Sequence, residues 1–411
     1  MKDRFDTKKS EWFSQKDVFL SALLIGLLTH GYMLFNKLPN IDDYVAMFHY
    51  GSGYSSGRWL LALMGNFMFR IDGTYSLPYL NGAFFLFTLA LSITIFLKPF
   101  HFNNKWVKRI FAALFVSFPT VISTMSFMFT VPFYGIAILL MAVAFYVLIT
   151  YRYGFIISII LMCCSLGIYQ AYWCLAASFL LLYLISLSMD KDNQNKDFLA
   201  LSIKSLITLL LGMVSYLVVN RIMLTLQGLN LSTYQGVDQM GSFSLSQIPT
   251  IFANAYGWFF NMAFENYQYI TWYPIVRYII LIGYILTLAA FVFACYSNRK
   301  NILKTIFLVL FTLMLPLTIN SIYIMCNDAS TIHLLMCYSV VLVFFMPFVY
   351  LGGVYKQIKD PYIPKFFKSA YLWCLILVMF FYIRLANLYY LDLELAFHET
   401  NSFMTTLSTR I

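Results

Sequence analysis

Two adjacent acids, Asp42 and Asp43, stand a few residues beyond a long apolar run, in the stretch Asn40-Ile41-Asp42-Asp43-Tyr44. A carboxylate at the boundary between lipid and water can act as a general base. It would take the proton of an acceptor hydroxyl as that oxygen attacks a membrane-tethered activated group. The same place in the chain suits a helix N-cap, with Asp42 accepting amide hydrogen bonds from a helix that begins at Asp43 or Tyr44. Spacing alone leaves both readings open. A third reading, a divalent metal held by the pair, lacks the further oxygen ligands such an ion needs. No metal or other cofactor is therefore expected.

Further along comes Ser55-Ser56-Gly57-Arg58-Trp59. A phosphate-bearing lipid calls for a cation at the membrane boundary, preferably a guanidinium that makes two hydrogen bonds. Arg58 meets that need, although an interfacial anchor with Trp59 as its belt residue has the same composition. Arg221, Arg277 and Arg384 are weaker phosphate candidates. Two corners carry polar groups amid apolar runs: Ser117-Phe118-Pro119-Thr120 and Gly167-Ile168-Tyr169-Gln170. Gln170 could hydrogen-bond a sugar hydroxyl, or it could satisfy backbone at a helical hairpin. His30, His49 and His333 lack metal-ligand spacing and read as structural. His49 lies in the same loop as the paired acids and stays among the substrate-binding candidates.

The elements that must position these residues are membrane helices. Of 411 residues, 61% are hydrophobic and 11% charged, and the mean hydropathy is +0.76. A soluble exterior cannot be built from that composition, since soluble domains are about a quarter charged. About eleven apolar runs of spanning length can be read, within a range of about 9 to 12. They lie near 18–36, 77–97, 110–127, 130–150, 153–168, 170–188, 198–223, 272–295, 305–325, 332–352 and 369–388. The expected fold is an all-α polytopic membrane protein. The first run has a polar tail before it and no small-residue cleavage pattern after it, so it reads as an anchor.

Charge sets the orientation. Assigning alternate connections to opposite sides puts 19 of the 27 Lys and Arg on one face and seven on the other, with Lys204 just inside a helix. By the positive-inside rule the N-terminus is cytoplasmic and the C-terminus lies on the opposite, non-cytoplasmic side, which is periplasmic if the chain sits in a bacterial inner membrane. The net charge of +10 is thus a topology signal and does not imply nucleic-acid binding. With the cytoplasmic acids removed, the outward acids are Asp42, Asp43, Asp72, Asp238, Glu265, Asp328, Asp392, Glu394 and Glu399.

The chain divides into a cytoplasmic tail (1–16), an N-terminal membrane module (17–223) whose first outward loop (37–76) is the candidate catalytic loop, an outward loop (224–271), and a C-terminal membrane module with an outward tail (272–411). Both long loops contain short apolar stretches, 58–69 and 247–268, that suit helices lying at the interface. The seven cysteines fall in or at the ends of spans and read as small core hydrophobes. No phosphate-cradling glycine loop, nucleophile elbow or HExxH is present. No acid sits at the centre of a predicted span and no internal repeat is visible, which disfavours an ion-coupled transporter. A lipid or glycan translocator that forms no bond remains the alternative to an enzyme.

Read together, Leu34-Phe35-Asn36, Ile41-Asp42-Asp43-Tyr44 and Gly57-Arg58-Trp59 resemble the start of the Gtr-type O-antigen glucosyltransferases, the serotype-conversion family of phages and enteric bacteria. The stretches Phe115-Val116-Ser117-Phe118-Pro119-Thr120 and Gly167-Ile168-Tyr169-Gln170 continue the likeness, which runs to about residue 190. The resemblance implies a GT-C-like membrane glycosyltransferase in the bacterial inner membrane, with its active site facing the periplasm. Such enzymes move a sugar, here glucose, from undecaprenyl phosphate to a lipopolysaccharide O-antigen. They depend on a separate carrier-sugar synthase and a flippase. Carried onto this chain, the resemblance makes Asp42 or Asp43 the essential acid, and the residues themselves suggest that Arg58 binds the donor phosphate while Tyr44, Trp59, Tyr169 and Gln170 shape the sugar pocket. The acceptor would meet the loop holding Asp238 and Glu265.

Overall fold

The computed structural model describes residues 2–40, 42–43, 53–71, 73, 76–102, 104–233, 245–326, 331–355 and 362–410. Among these residues all regular secondary structure is helical, with no strand. Helices α1 (Lys2–Phe35), α2 (Trp59–Ile71), α3 (Pro78–Leu97), α4 (Lys105–Ser117), α5 (Pro119–Met125), α6 (Val131–Thr150), α7 (Gly154–Leu166), α8 (Tyr172–Ser188) and α9 (Asn195–Gln227) make the first part. The rest comprises α10 (Ile248–Asn261), α11 (Pro274–Asn298), α12 (Ile302–Ile319), the single turn α13 (Ile322–Met325), α14 (Met346–Tyr355) and α15 (Tyr362–Ser408). Among the described residues, eight helices are long and apolar enough to cross a membrane, or nine if the bent pair α4 and α5 counts as one span. This is a multi-pass membrane protein.

Every apolar run read from the sequence coincides with helix, but not every run is one straight span. The runs at 153–168 and 170–188 are α7 and α8, of 13 and 17 residues, short of the roughly 20 that cross hydrocarbon unaided. The run at 332–352 starts as 3-10 helix, Tyr338–Phe344, and becomes α-helical at Met346. Pro347 explains the place of the change, because it lacks an N–H and is tolerated only in the first turn of an α-helix. The stretch 58–69 falls in α2, and of 247–268 the part 248–261 is helix, α10, followed by a turn. The final run does not stop near 388 but continues as one helix to Ser408.

Packing is local in sequence across the first part. α1 lies against α3 and α4, α3 against α6, α6 against α7 and α7 against α9. α8 is enclosed, with α12 along one side and α6, α9 and the 3-10 segment around it. Phe345 joins the layers, meeting Phe111 at 4.5 Å, Phe100 at 5.1 Å and Phe179 at 6.2 Å between ring centres. α15 closes the bundle on α4, α14 and α1. Its buried stripe, Leu375, Val378, Tyr382, Ala386 and Tyr390, follows the helical period.

The corner Ser117-Phe118-Pro119-Thr120 bends α4 against α5 by 41°. Pro119 offers no N–H to the Phe115 carbonyl, and the bend also opens the carbonyl of Val116. Both are satisfied from elsewhere. The Tyr338 hydroxyl donates to Phe115 O at 2.9 Å, and His30 Nε2 donates to Val116 O at 2.9 Å. Because Nε2 must then carry the proton, a neutral His30 accepts at Nδ1 from the Tyr390 hydroxyl, 2.7 Å away. His30 is thus a structural bridge from α1 to α4 and α15. Removing either donor, as His30→Phe or Tyr338→Phe, should cost about 1–3 kcal/mol through the unpaired carbonyl. The check is the midpoint of thermal unfolding in detergent. In a Pro119→Ala background, where the helix can supply an N–H to Phe115, Tyr338→Phe should cost clearly less; an equal cost would contradict this account of the kink.

Candidate functional site

Asn40 and Asp43 form a reciprocal cap at the start of the helical turn that holds Asp42 and Asp43. Asn40 Oδ1 accepts from the Asp43 N–H at 3.0 Å, and Asp43 Oδ2 accepts from the Asn40 N–H at 2.9 Å. This is a capping box built from Asn and Asp. It differs from the cap expected at Asp42: the capping residue is Asn40 and its partner is Asp43. Asp43 is 2% exposed, and its other oxygen, Oδ1, accepts from the Phe129 N–H at 3.2 Å. Asp42 is exposed. The two acids therefore occupy opposite environments, one spent on backbone and one facing water.

The acid turn is docked on the connection between α5 and α6. Asn40 Nδ2 donates to Ser126 O at 2.6 Å, Asn81 Nδ2 donates to Met128 O at 3.0 Å, and the Ser126 and Tyr389 hydroxyls lie 3.1 Å apart. Tyr32 donates to Glu394, which fastens α1 to the upper part of α15. Asn40 and the turn at 126–129 escaped the sequence reading. The Asn-x-x-Asp spacing was a usable signal for the first, whereas the turn contributes backbone alone and leaves no signature.

A second cluster forms where residues 53–61 meet the corner Gly167–Gln170. The first amides of α2 find an acceptor there: Leu60 N and Leu61 N donate to Gly167 O at 2.8 and 3.1 Å. Such amides have no partner within their own helix. The Trp59 indole lies so close to Gly167 that a Cβ there would fall 2.5 Å from the ring. Trp59 therefore packs the corner together. Gln170 Nε2 donates to Ser56 O at 3.0 Å and to the Tyr216 hydroxyl at 2.9 Å, and that hydroxyl donates to Gly57 O at 3.0 Å. Tyr216, from α9, was not singled out in the sequence.

This latch holds Arg58 at the mouth of a cleft lined by Ser56, Arg58, Tyr169, Gln170, Ile322, Cys326, Thr331 and Met336 among others. The cleft is small as it stands, with a cavity volume of about 40 Å³, room for about two or three water molecules. The Arg58 guanidinium carbon sits 5.0 Å from the centre of the Tyr169 ring, a cation–π distance. Tyr169 is 1% exposed, and its hydroxyl has no hydrogen-bond partner among the described residues. Burial pushes the Tyr169 phenol well above its ordinary value, with Arg58 opposing, so the group is a hydrogen-bond donor. Burial likewise pushes the Cys326 thiol up. What this arrangement can do is bind an anion with a guanidinium and a polar group with a phenol, at the edge of an apolar wall.

The other candidates lie elsewhere. Glu265 is exposed and, like Asp42 and Asp43, does not line the cleft. Arg277 is committed to backbone, with Nε donating to Thr271 O at 2.8 Å. Arg221 and Arg384 are exposed. Tyr44, His49 and Asp238 lie outside the described residues, as do Asp72 and Asp328. Among the described residues, no group of three or more His, Cys, Asp or Glu is placed to hold a metal ion.

Two outcomes follow from this geometry. Gly57 has φ +74°, and a Cβ there would fall 2.7 Å from both Gln170 Nε2 and the Tyr216 hydroxyl. Gly57→Ala should therefore break the latch and lower activity at least tenfold while membrane insertion persists, measured as activity per inserted molecule. Burial raises the Asp43 carboxyl above its ordinary 3.8, against the hydrogen bonds from Asn40, Phe129 and Ser76, which lower it. A folded state that binds its proton more tightly gains stability from this group fully below the ordinary value, and loses it as pH rises through the raised one. Unfolding midpoints of wild type relative to Asp43→Asn should accordingly fall as pH goes from about 4 to about 7. A constant difference would contradict that assignment.

No curated protein and no solved structure matches this sequence. The sequence model of one family, described as Glucosyl transferase GtrII, matches residues 31–344. That match takes in the acid turn, the Gly57 latch, and both walls of the cleft, and on that basis the chain belongs to the GtrII glucosyl transferase family.

Proposed function

We propose that this glucosyl transferase takes glucose from a polyprenyl-phosphate carrier and adds it to a surface glycan such as O-antigen on the periplasmic side of the bacterial inner membrane. Membership of a glucosyl transferase family supplies the reaction class. The observation that carries the finer reading is the cleft in which Arg58 and the buried Tyr169 hydroxyl converge beside an apolar wall. A lipid-linked sugar phosphate has the same three parts: an anion, a polyhydroxylated ring and a hydrocarbon tail.

In this mechanism the acceptor hydroxyl oxygen attacks the anomeric carbon, and its proton passes to Asp42. The bond from that carbon to the phosphate oxygen breaks, and the polyprenyl phosphate leaves with its charge matched by Arg58. Attack opposite the leaving group inverts the anomeric centre. Asp42 is the better base of the pair because its carboxylate is exposed, whereas Asp43 is consumed by the cap. Asp43 fixes the turn from which Asp42 projects. Tyr169 donates to the sugar or phosphate, and Gln170 acts by holding the 56–58 turn. Glu265 and Asp238 remain candidates for the acceptor side. The mechanism calls on no metal.

Membranes supplied with a radiolabelled polyprenyl-phosphate glucose should pass label covalently to glycan. Asp42→Asn should reduce that transfer by about 10³-fold or more, the loss expected when a general base and its positioning disappear together, while insertion is unchanged. Arg58→Ala should lower it by at least tenfold. Full activity in Asp42→Asn sinks the base assignment, and label that crosses the bilayer without forming a new bond would support a translocator.

A further inference from the structure

The loop between α10 and α11 holds a feature that the transfer mechanism leaves unused. Among the described residues, Gln268 and Tyr269 are the two non-glycine positions with positive φ, 48° and 64°. Consecutive left-handed residues with a Cβ are costly and persist only where the surroundings over-determine them. They do so here. The Thr271 hydroxyl accepts from Tyr267 N at 2.7 Å and donates to Glu265 O at 2.6 Å. Arg277 holds the carbonyl of Thr271 at 2.8 Å, and those of Phe264 and Trp272 at 3.4 Å. The Tyr382 hydroxyl donates to Ile270 O at 2.9 Å.

All this fixed backbone presents two rings to the outside. Tyr269 is 57% exposed and Trp272 50% exposed, and the pair stack at 5.6 Å with 29° between their planes. The loop also backs onto the cleft wall. Gln268 Nε2 donates to Ile332 O at 2.9 Å, one residue from Thr331, and the Tyr267 hydroxyl meets Cys337 Sγ at 3.5 Å, one residue from Met336. A membrane-belt aromatic needs only the right depth and is served by ordinary helix or extended backbone. It gives no reason for two strained residues or for an arginine committed to three carbonyls.

We propose that Tyr269 and Trp272 are a stacking platform for a pyranose ring of the acceptor glycan. The axial C–H groups of one sugar face lie on the aromatic faces, which carry negative potential, while the strained turn keeps the rings in register with the cleft. This rests on the reading of the chain as a glycan-modifying transferase.

The test uses the full chain in liposomes, with polysaccharide released by mild acid from the host lipopolysaccharide as the probe. Tyr269→Ala and Trp272→Ala should each raise the acceptor KM about tenfold, leaving the donor KM and the kcat at saturating acceptor within twofold. Tyr269→Phe should keep the wild-type acceptor KM within threefold. Binding of the same polysaccharide without donor should weaken in parallel. An unchanged acceptor KM in both alanine variants overturns the platform. So does an equal rise in donor and acceptor KM, which is the result for belt residues that set helix depth. If the wild type transfers no sugar, the transferase reading fails; binding that still depends on the two rings would then sustain the platform on its own. Should either alanine variant fail to insert, the double Phe variant decides, since it keeps stacking and loses the indole and phenol polar atoms.

Discussion

Gln170 donates from one nitrogen to the Ser56 carbonyl and the Tyr216 hydroxyl, and so binds together stretches of chain 114 and 46 residues apart. The cleft depends on it. Without that amide the 53–58 turn would be tied to the corner after α7 only from the α2 side, by Leu60 and Leu61 on the Gly167 carbonyl and by the Trp59 ring, and the carbonyl of Ser56 beside Arg58 would lose its donor. With it, the guanidinium is held against the ring of Tyr169, next to Gln170 in sequence. A buried amide serving two acceptors is expensive to leave unpaired, so the interlock forms as a unit or not at all.

The same economy of polar groups runs through the membrane-embedded part. Where α4 breaks at Pro119, the freed carbonyls draw donors from Tyr338 and His30, residues 223 and 86 positions away from the carbonyls they serve. Hydrocarbon offers no water to take that place, so the break at Pro119 recruits distant side chains. Irregular backbone is in this way turned into tertiary connection. The acid turn is held by like means, with Asn40 reaching Ser126 and Asp43 reaching Phe129.

How far the sequence could be read follows from which interactions are local. Apolar runs are local, and each one became helix. The corner at Pro119 and the polar residues at 167–170 were visible as breaks in hydropathy. Asn40 and Asp43 sit three apart, close enough for the capping box to be read from spacing, yet the adjacency of the two acids drew attention to Asp42 as the cap. Tyr216 was illegible because its partners lie far off in the chain, and it looked like any aromatic in an apolar helix. Gln170 was seen, but its bonds to Ser56 and Tyr216 make it a brace of the site rather than a free hydrogen-bonding edge. The left-handed turn at Gln268 and Tyr269 carries no glycine to announce it. Strain imposed by tertiary contacts has no sequence signature.

α15 runs for 47 residues, about 70 Å at helical rise, against a hydrocarbon core of about 30 Å. It packs on α4, α14 and α1 and buries the stripe from Leu375 to Tyr390, whereas from Thr400 onward the described side chains are exposed. Among the described residues nothing covers that end, so its helix rests on its own propensity. It is accordingly the place where a reporter enzyme can be fused without disturbing the packed body. Which compartment activates that reporter would give the sidedness of the entire bundle from one rigid rod.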